Sequence, residues 1–412
     1  MDSVVLLHLL HFIAPRFQWR LSALHVHHGI SPNADVWTEF CIKLCAQYDI
    51  PLQIERVDIT FLRGDHGVEA AARKLRHKAF LSQVCDFVAL AHHADDQAET
   101  LLLQLLRGAG VKGVSAMSVL KPANHQMHAT VRPLLDVSRD RLYSYASENG
   151  LSWIEDESNA DVSYPRNFLR HRILPELQSC FPGYRETLTR SAHHFAEASQ
   201  LMDELAQLDA SQTVNGETLS VDSLRALNHA RAKNLLRYFL HVRGAAMPQS
   251  VQIEEMLGQL CDAREDSAVC ISFGDWEVRR YQGWIHVMPT LSDFDPAIVL
   301  DWTGQLELVW PALKARLMFS EAVANGISLE KLKGEKISLR LRSGGESMRL
   351  HSKGSNRSLK NILQEKHIPP WQRERLPLLY RGDELVAIVG VAIHPDYQAN
   401  AGEKSLLVSW EK

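Results

Sequence analysis

The sequence lacks the long apolar runs and the cysteine frameworks that mark membrane proteins and disulfide-stapled proteins. No apolar stretch approaches the ~20 residues that a transmembrane helix needs. The apolar start, MDSVVLLHLLHF, has neither a basic region nor a small-residue cleavage site, which favours a buried helix over a signal peptide. The chain has 6 cysteines, none in Cys-x-x-Cys spacing, and the closest pair, Cys41 and Cys45, is typical of a helix core face. These absences favour a cytoplasmic protein with reduced thiols.

A strong net charge is also missing, but the average hides an asymmetry. The chain has 45 Lys+Arg and 49 Asp+Glu, whereas residues 331–412 have 15 Lys+Arg against 9 Asp+Glu. Within residues 340–381 the ratio is 10 to 3. A local basic surface is typical of phosphate binding, although a solvated protein face can have the same composition. Charge alone leaves both alternatives open.

Length and patterning predict an α/β chain of three domains, 1–212, 213–335 and 336–412. In the first, apolar strands at 21–29, 51–59 and 86–93 alternate with helices at 2–12, 33–48, 67–84 and 95–107. This pattern predicts a doubly wound parallel sheet with helices on both faces. Residues 138–212 are predicted to be helical, with breaks at Pro175 and Pro182. A mixed middle domain with a hairpin turn at Gln282–Gly283, and a small α+β C-terminal domain, are expected to follow.

Polar side chains follow the predicted strand ends, where doubly wound folds place their sites. The most informative string is AHHADDQAET, residues 91–100. We predict that Asp95 caps the following helix and that Asp96, Glu99 and Thr100 share one of its faces. Paired carboxylates at such a position can hold Mg²⁺ against phosphate oxygens. Capping and solvation alone would explain Asp95 but not the whole group, and the helical HExxH spacing of a metal hydrolase is absent.

HHADDQAET followed by LLLQLLRGAGVKGVSAM resembles the signature of the tRNA(Ile)-lysidine synthetases, a family of the N-type ATP pyrophosphatase (PP-loop) superfamily. The resemblance covers nearly the whole chain. His77 stands where the family has a tyrosine. The further matches are HVHHG at 25–29, GVEAAARKLRHKAF at 67–80, RPLLDVSRDRL at 132–142, EDESNAD at 155–161, PRNFLRHRILP at 165–175, and RSLKNILQEKHIPPWQRERLPLLYRGDELVAIVG at 357–390.

The resemblance implies an ATP- and Mg²⁺-dependent carbon–nitrogen ligase. Such an enzyme adenylates the C2 oxygen of the wobble cytidine in the CAU anticodon of tRNA(Ile). The ε-amine of free L-lysine then displaces AMP, and the product, lysidine, makes the tRNA read AUA. A C-terminal tRNA-binding domain is implied, and a homodimer is compatible with the family. His92 or His93 is expected to accept the proton of the amine.

The resemblance also assigns roles to individual residues. The catalytic residues are expected to be Asp2, His92, His93, Asp96, Glu99 and Arg107, with Asp96 also as the metal ligand. Nucleotide binding is expected at Asp2, Ser3, His27, His28, Gly29 and Thr100. Substrate binding is expected at Glu69, Arg73, Arg76, Arg166, Asn167, Arg170, Arg357, Lys360 and Arg373.

The family's nucleotide loop, S-G-G-x-D-S, is matched here only by Met1, Asp2 and Ser3, with VVLLHLL as the following helix. The amide groups of such a loop form a nest for phosphate at a helix N-terminus. We expect that codons upstream of Met1 encode an apolar strand ending in Ser-Gly-Gly. Without that strand, we would expect weak ATP affinity.

Several alternatives stay open at this point. A related superfamily enzyme thiolates tRNA cytidine, a chemistry that commonly uses Cys-x-x-Cys pairs, and a non-catalytic tRNA-binding remnant would fit the incomplete loop. Arg107 could serve the site or the helix dipole, and Trp371 could pack in a core or stack on a base. The same choice between phosphate binding and surface ion pairs applies to Arg139, Arg141, Arg166, Arg170 and Arg172.

Overall fold

The computed structural model contains two compact units, Met1–Leu208 and Asp209–Lys412. The predicted three-domain division stays a prediction. Within the described residues, no helix is long and apolar enough to cross a membrane. The described residues are 1–29, 31–58, 72, 74–123, 128–264, 267–313 and 315–411.

The first unit opens with helices and parallel strands in the predicted order. Helix α1 (Asp2–Phe17) is followed by β1 (Ala23–His27), α2 (Ala34–Gln47) and β2 (Leu52–Arg56). Strand β1 pairs in parallel with β2. α1 forms because its apolar residues bury one face, and it ends at Gln18, whose left-handed φ of 55° caps it.

The next strands carry the site. Strand β3 (Phe87–Ala89) is shorter than the predicted 86–93, and it pairs in parallel with β5 (Ala129–Val131). Between them lie α3 (Ala94–Leu106), α4 (Val111–Val114) and β4 (Leu120–Lys121). The parallel pairs confirm the predicted α/β class. Of the predicted helix 67–84, residues 74–81 are helical, while residues 67–71 and 73 lie outside the described residues.

A mostly helical segment completes the first unit. Pro182 separates α7 from α8 as predicted, but Pro175 does not break α7. It occupies the second position of that helix, directly after a π-helical turn that continues into it. The elements are α5 (Arg139–Glu148), α6 (Pro165–Phe168), a π-helical turn (Leu169–Ile173), α7 (Leu174–Cys180) and α8 (Tyr184–Thr213).

The second unit begins with an antiparallel sheet of strand order β6-β7-β10-β9-β8 and three helices packed in one apolar core. The turn at Gln282–Gly283, with φ of 48° and 77°, joins β9 to β10 as predicted. Strand β8 adds a second hairpin on β9. The elements are β6 (Val214–Asn215), β7 (Thr218–Ser220), α9 (Val221–Ala226), α10 (His229–Val242), α11 (Ser250–Asp262), β8 (Cys270–Phe273), β9 (Trp276–Tyr281) and β10 (Trp284–Pro289).

The remaining residues form two further sheets, of orders β11-β15-β18-β19-β20 and β12-β13-β21-β14, and the short pair β16-β17. Their strands are β11 (Leu300–Trp302), β12 (Glu307–Trp310), β13 (Ala315–Val323), β14 (Ile327–Ser328), β15 (Ile337–Arg340), β16 (Ser347–Met348), β17 (Arg357–Ser358), β18 (Leu378–Arg381), β19 (Glu384–Ile388), β20 (Ala392–Ile393) and β21 (Lys404–Glu411). Helices α12 (Leu359–Glu365) and α13 (Pro370–Arg373) form the basic middle.

Candidate functional site

The site is built on the first turn of α3, just past the carboxyl end of β3. The helix begins at Ala94, and its N-cap is His93 rather than the predicted Asp95. The His93 amide donates to Asp96 Oδ2 at 3.0 Å, and the Asp96 amide donates to His93 Nδ1 at 3.4 Å. The Ala94 amide donates to the Val137 carbonyl, which fixes this earlier start. The reciprocal cap holds the Asp96 carboxylate at the helix N-terminus.

Two arginines close over the carboxylates of this helix. Arg166 donates from Nε to Glu99 Oε2 at 2.7 Å and from Nη2 to Asp96 Oδ1 at 2.8 Å. Arg170 donates from Nε to Glu99 Oε1 at 2.6 Å and from Nη2 to Glu99 Oε2 at 3.0 Å. We call these four residues the acid–arginine cluster. Arg166 lies in α6 and Arg170 in the π-helical turn, so a local widening of the helix brings both to one carboxylate.

The cluster is partly shielded from water and electrically balanced. The Glu99 side chain is 1% exposed, whereas those of Arg166 and Arg170 are 32% and 27% exposed. Burial would lower the pKa of Arg170, but the hydrogen bond and charge of Glu99, with Asp96, raise it. Within the described chain, the Nη1 atoms of both arginines make no hydrogen bond and remain available to an anion.

Asp2 brings the start of α1 to the same place. His93 Nε2 lies 3.8 Å from Asp2 Oδ2 and 3.4 Å from Asp96 Oδ2, so the two carboxylates flank one imidazole nitrogen. Asp2 Oδ1 is buried and has no hydrogen-bond partner among the described residues. Ser3 is exposed in the same first turn.

The Asp2–Asp96 pair is the best place for a cation. Among the described residues, no group of three or more His, Cys, Asp or Glu side chains is arranged to hold a metal ion by itself. Mg²⁺, however, is usually bound through one or two carboxylates together with substrate phosphates. The donor set here fits that mode, because Asp2 Oδ1 is a buried oxygen in need of a positive partner.

His92 lies beside the cluster in a field that keeps it neutral. Its Nδ1 accepts from Arg132 Nε at 3.3 Å. Burial lowers its pKa to about 4, and although Asp96 opposes this, Arg132, Arg166 and Arg76 add to it. The Nδ1 atoms of His92 and His93 are thus both occupied as acceptors. The depressed pKa makes His92 a poor proton acceptor in this arrangement, and the proton-accepting role of His93 stays a prediction.

The residues after β1 form a neighbouring histidine group. His27 Nε2 lies 3.3 Å from Asp35 Oδ1, and Gly29 adopts a left-handed φ of 65° that turns the chain. Burial lowers the pKa of His28, and the positive charge of Arg76 lowers it further. The charge of Arg76 also lowers the pKa of His92, so this side chain influences the histidines that follow both β1 and β3.

Other predicted site residues lie elsewhere or are engaged. The Thr100 hydroxyl donates to the Asp96 carbonyl at 2.7 Å. Asn167 donates to the carbonyls of Ser158 and Asp161, so it fixes a loop. Arg107 is exposed at the C-cap of α3, roughly 16 Å from Asp96 along the helix. Glu69 and Arg73 lie outside the described residues.

The predicted tRNA-binding residues belong to the second unit. Arg357 pairs with Glu365, and Lys360 is exposed. Arg373 is buried and donates to the Ile368 carbonyl and the Tyr281 hydroxyl, both at 2.6 Å. Trp371 packs at 8% exposure against Tyr281, His286 and Arg279, which favours its core role over base stacking.

Sequence reasoning missed the tertiary contacts of Asp95. Asp95 Oδ1 accepts from Arg185 Nε at 2.5 Å, and Asp95 Oδ2 accepts from the Arg139 amide at 2.8 Å. The acid itself was noticed, but only as a cap. Nothing marks Arg185 in the sequence, since it is one of many charged residues of the 30-residue helix α8.

Comparisons with known proteins agree along the whole chain. Family models match at residues 1–177 (PP-loop domain), 219–286 (TilS substrate binding domain) and 337–410 (TilS substrate C-terminal domain). A tRNA(Ile)-lysidine synthase of Nitrosomonas europaea is 44% identical over 412 residues, covering 99% of this chain and 89% of that protein. Proteins of the same name from an Azoarcus species and Coxiella burnetii are 41% and 37% identical, covering 99% and 98% of this chain and 89% of each relative.

Among solved structures, the U34-tRNA thiolase NcsA of Methanococcus maripaludis matches with a TM-score of 0.39 at 20% identity, over 48% of this chain and 69% of that one. A similarity at this level supports no conclusion about function.

Proposed function

This chain belongs to the tRNA(Ile)-lysidine synthase family, and we propose that it ligates lysine to the wobble cytidine of tRNA(Ile) at the acid–arginine cluster. Its PP-loop domain is an ATP-using domain. The observation that carries the proposal is the convergence of Asp2, Asp96, Glu99, Arg166 and Arg170 past the carboxyl end of β3. This is where open parallel sheets bind their ligands.

In this proposal, Glu99 orients the two arginines and does not bind a ligand itself. Its carboxylate is enclosed and accepts from both guanidiniums, so it fixes their orientation. The two Nη1 atoms then face the triphosphate and the pyrophosphate charge that develops as the cytidine C2 oxygen attacks the α-phosphorus. Fixed guanidiniums stabilise such charge without reorganising during the reaction.

Asp2 and Asp96 are the residues that would hold Mg²⁺, which, when bound, would neutralise phosphate charge. The same carboxylates attract the ammonium of lysine. Lysine reacts as the free amine, so its ammonium first releases a proton to water. After adenylation, the amine nitrogen attacks C2 of the cytidine, the C2–O bond breaks, and AMP leaves with the electron pair. The nitrogen becomes acidic as the C–N bond forms and gives up its second proton to water.

The second unit supplies RNA affinity in this proposal. Exposed Lys353, Lys360 and Lys366 lie in the basic stretch around α12, while Arg357 and Arg373 are tied to protein groups. Lysines of this kind provide a largely sequence-independent phosphate affinity. The choice of tRNA(Ile) then depends on contacts to the anticodon bases near the cluster.

The test is lysidine formation, measured by mass spectrometry of nuclease-digested tRNA(Ile) after incubation with ATP, Mg²⁺ and lysine. We expect product with the unaltered chain. Asp96→Asn should abolish pyrophosphate release while tRNA affinity changes less than two-fold, because the amide keeps the cap but loses the charge. Asp203→Asn, at an exposed position of α8, is the matched control. No product from the unaltered chain, or full turnover by Asp96→Asn, would overturn the proposal.

A further inference from the structure

Asp95 is mostly enclosed, yet it does not take part in the acid–arginine cluster. Its side chain is 13% exposed, and within the described residues it makes no hydrogen bond to Arg166 or Arg170. Its Oδ1 accepts from Arg185 Nε at 2.5 Å, and its Oδ2 accepts from the Arg139 amide at 2.8 Å. Asp95 therefore serves a separate set of contacts.

Those contacts join three segments that are far apart in sequence. Arg139 begins α5, and its amide donates to Asp95. Arg185 is the second residue of α8, and besides Asp95 it donates from Nη1 to Gln178 Oε1 in α7 at 2.6 Å. Its guanidinium also lies 4.9 Å from the centre of the Tyr184 ring. Arg185 is thereby fixed on the helical corner between α7 and α8.

The same corner packs on α3 through apolar contacts. Tyr184 and Leu174 are buried in one cluster with Ala98 of α3. Arg166 and Arg170 immediately precede α7, so the placement of α7 on α3 determines where these guanidiniums meet Glu99 and Asp96. Asp95 is adjacent to Asp96 in sequence. Asp96 contacts the start of the segment 165–180, whereas Asp95 anchors the chain just past its end.

We propose that Asp95 and Arg185 form a positioning pair that keeps the segment of Arg166 and Arg170 in register with Glu99 and Asp96. The inference rests on the proposed function for its catalytic consequence. Neither residue touches the reacting atoms in this proposal. Their effect is transmitted by the 165–180 segment, whose displacement by about 1 Å is enough to reduce turnover strongly.

The experiment compares Asp95→Asn, Arg185→Met, Arg185→Lys and the double variant Asp95→Asn/Arg185→Met with the unaltered chain. The control is the double variant Lys112→Met/Asp203→Asn, which removes an exposed ion pair between α4 and α8. We expect each single neutral variant to lower kcat ten- to a hundred-fold while the KM for tRNA changes less than two-fold. The double variant should be no worse than either single one, because both remove the same contact.

Arg185→Lys keeps the positive charge but loses the planar guanidinium with its several N–H donors. Its kcat should therefore lie between those of Arg185→Met and the unaltered chain. A second readout does not depend on turnover. Hydrogen–deuterium exchange of the amides in 165–173 should rise about ten-fold in Asp95→Asn and stay unchanged in the control. A merely structural role would instead raise exchange throughout the first unit and lower tRNA affinity as well.

The two hypotheses fail differently. Normal lysidine formation and normal exchange at 165–173 in the neutral variants would overturn the positioning pair and leave the proposed function standing. Absence of product from the unaltered chain would overturn the proposed function, and exchange at 165–173 alone would then decide whether Asp95 and Arg185 hold the segment.

Discussion

Replacing Glu99 with glutamine tests the energetics of the acid–arginine cluster directly. The glutamine has the same shape, but it carries no charge and offers one acceptor oxygen instead of two. Its one amide oxygen can still accept a hydrogen bond from Arg166 or from Arg170. Its NH₂ group then faces the N–H donors of the other arginine. The substitution therefore leaves two guanidiniums sharing the single carboxylate charge of Asp96, with one positive charge unmatched.

The size of the effect follows from burial. Removing one partner of a fully buried ion pair costs about 3–5 kcal/mol. Arg166 and Arg170 are 32% and 27% exposed, so water screens the orphaned charge, and we expect a loss of about 2–3 kcal/mol in the free energy of unfolding. With a denaturant slope of roughly 2 kcal/mol per M, the urea midpoint of the first unit should fall by about 1 M.

The assay is urea unfolding of the full chain followed by circular dichroism. Glu197→Gln, at an exposed position of α8, is the control and should change the unfolding free energy by less than about 0.5 kcal/mol. Adding Arg170→Gln to Glu99→Gln should restore part of the lost stability, because Asp96 and Arg166 then remain as a matched pair. An unchanged midpoint for Glu99→Gln, or a further loss in this double variant, would refute this account of the cluster.

Three further outcomes follow from the second unit. Burial lowers the pKa of His286 to about 4, whereas an unfolded histidine titrates near 6.5. As pH falls from about 6.5 to 4, the unfolded chain therefore binds a proton that the folded chain does not, and the free energy of unfolding decreases. The unaltered chain should therefore lose about 1 kcal/mol more than His286→Gln between pH 7 and pH 5, measured by urea unfolding; equal losses would count against a buried neutral imidazole. Lys360→Glu with Lys366→Glu should weaken tRNA binding and flatten its dependence on salt by roughly two counterions, and identical slopes would leave these lysines a solvated face. Trp371→Ala should cost about 3–5 kcal/mol in unfolding, and a loss of tRNA affinity at unchanged stability would instead favour base stacking.

The sequence predicted a helix start just past a strand end at the candidate site, because local rules determine that feature. An apolar strand followed by HHADDQAET fixes a helix start past a strand end, and the structure has α3 there. The cap was wrong, since Asp95 is a better N-cap by composition than His93. A tertiary bond from the Ala94 amide to the Val137 carbonyl starts the helix one residue after His93 and releases Asp95 for Arg185. That contact spans 90 residues, beyond the range of any periodic pattern.

The same limit applies to the arginines and to the sheets of the second unit. Arg166 and Arg170 were predicted as substrate ligands, but the sequence did not predict that they would neutralise Asp96 and Glu99. Residues 290–335 gave no clear periodicity. Strands β11 to β14 in that stretch are mostly two to four residues long, and several are completed by pairing with β15 and β21 much later in the chain.

The balance of the acid–arginine cluster makes the thermodynamics of its ligands interdependent. Two carboxylates and two guanidiniums already cancel, so an anion that binds the guanidiniums alone leaves excess negative charge in a shielded space. A cation alone leaves the opposite excess. When a cation and an anion bind together, the net charge of the site stays unchanged. Each ion should therefore raise the affinity of the site for the other by the same factor. A site of this kind therefore binds isolated ions weakly and favours a cation and an anion that bind together.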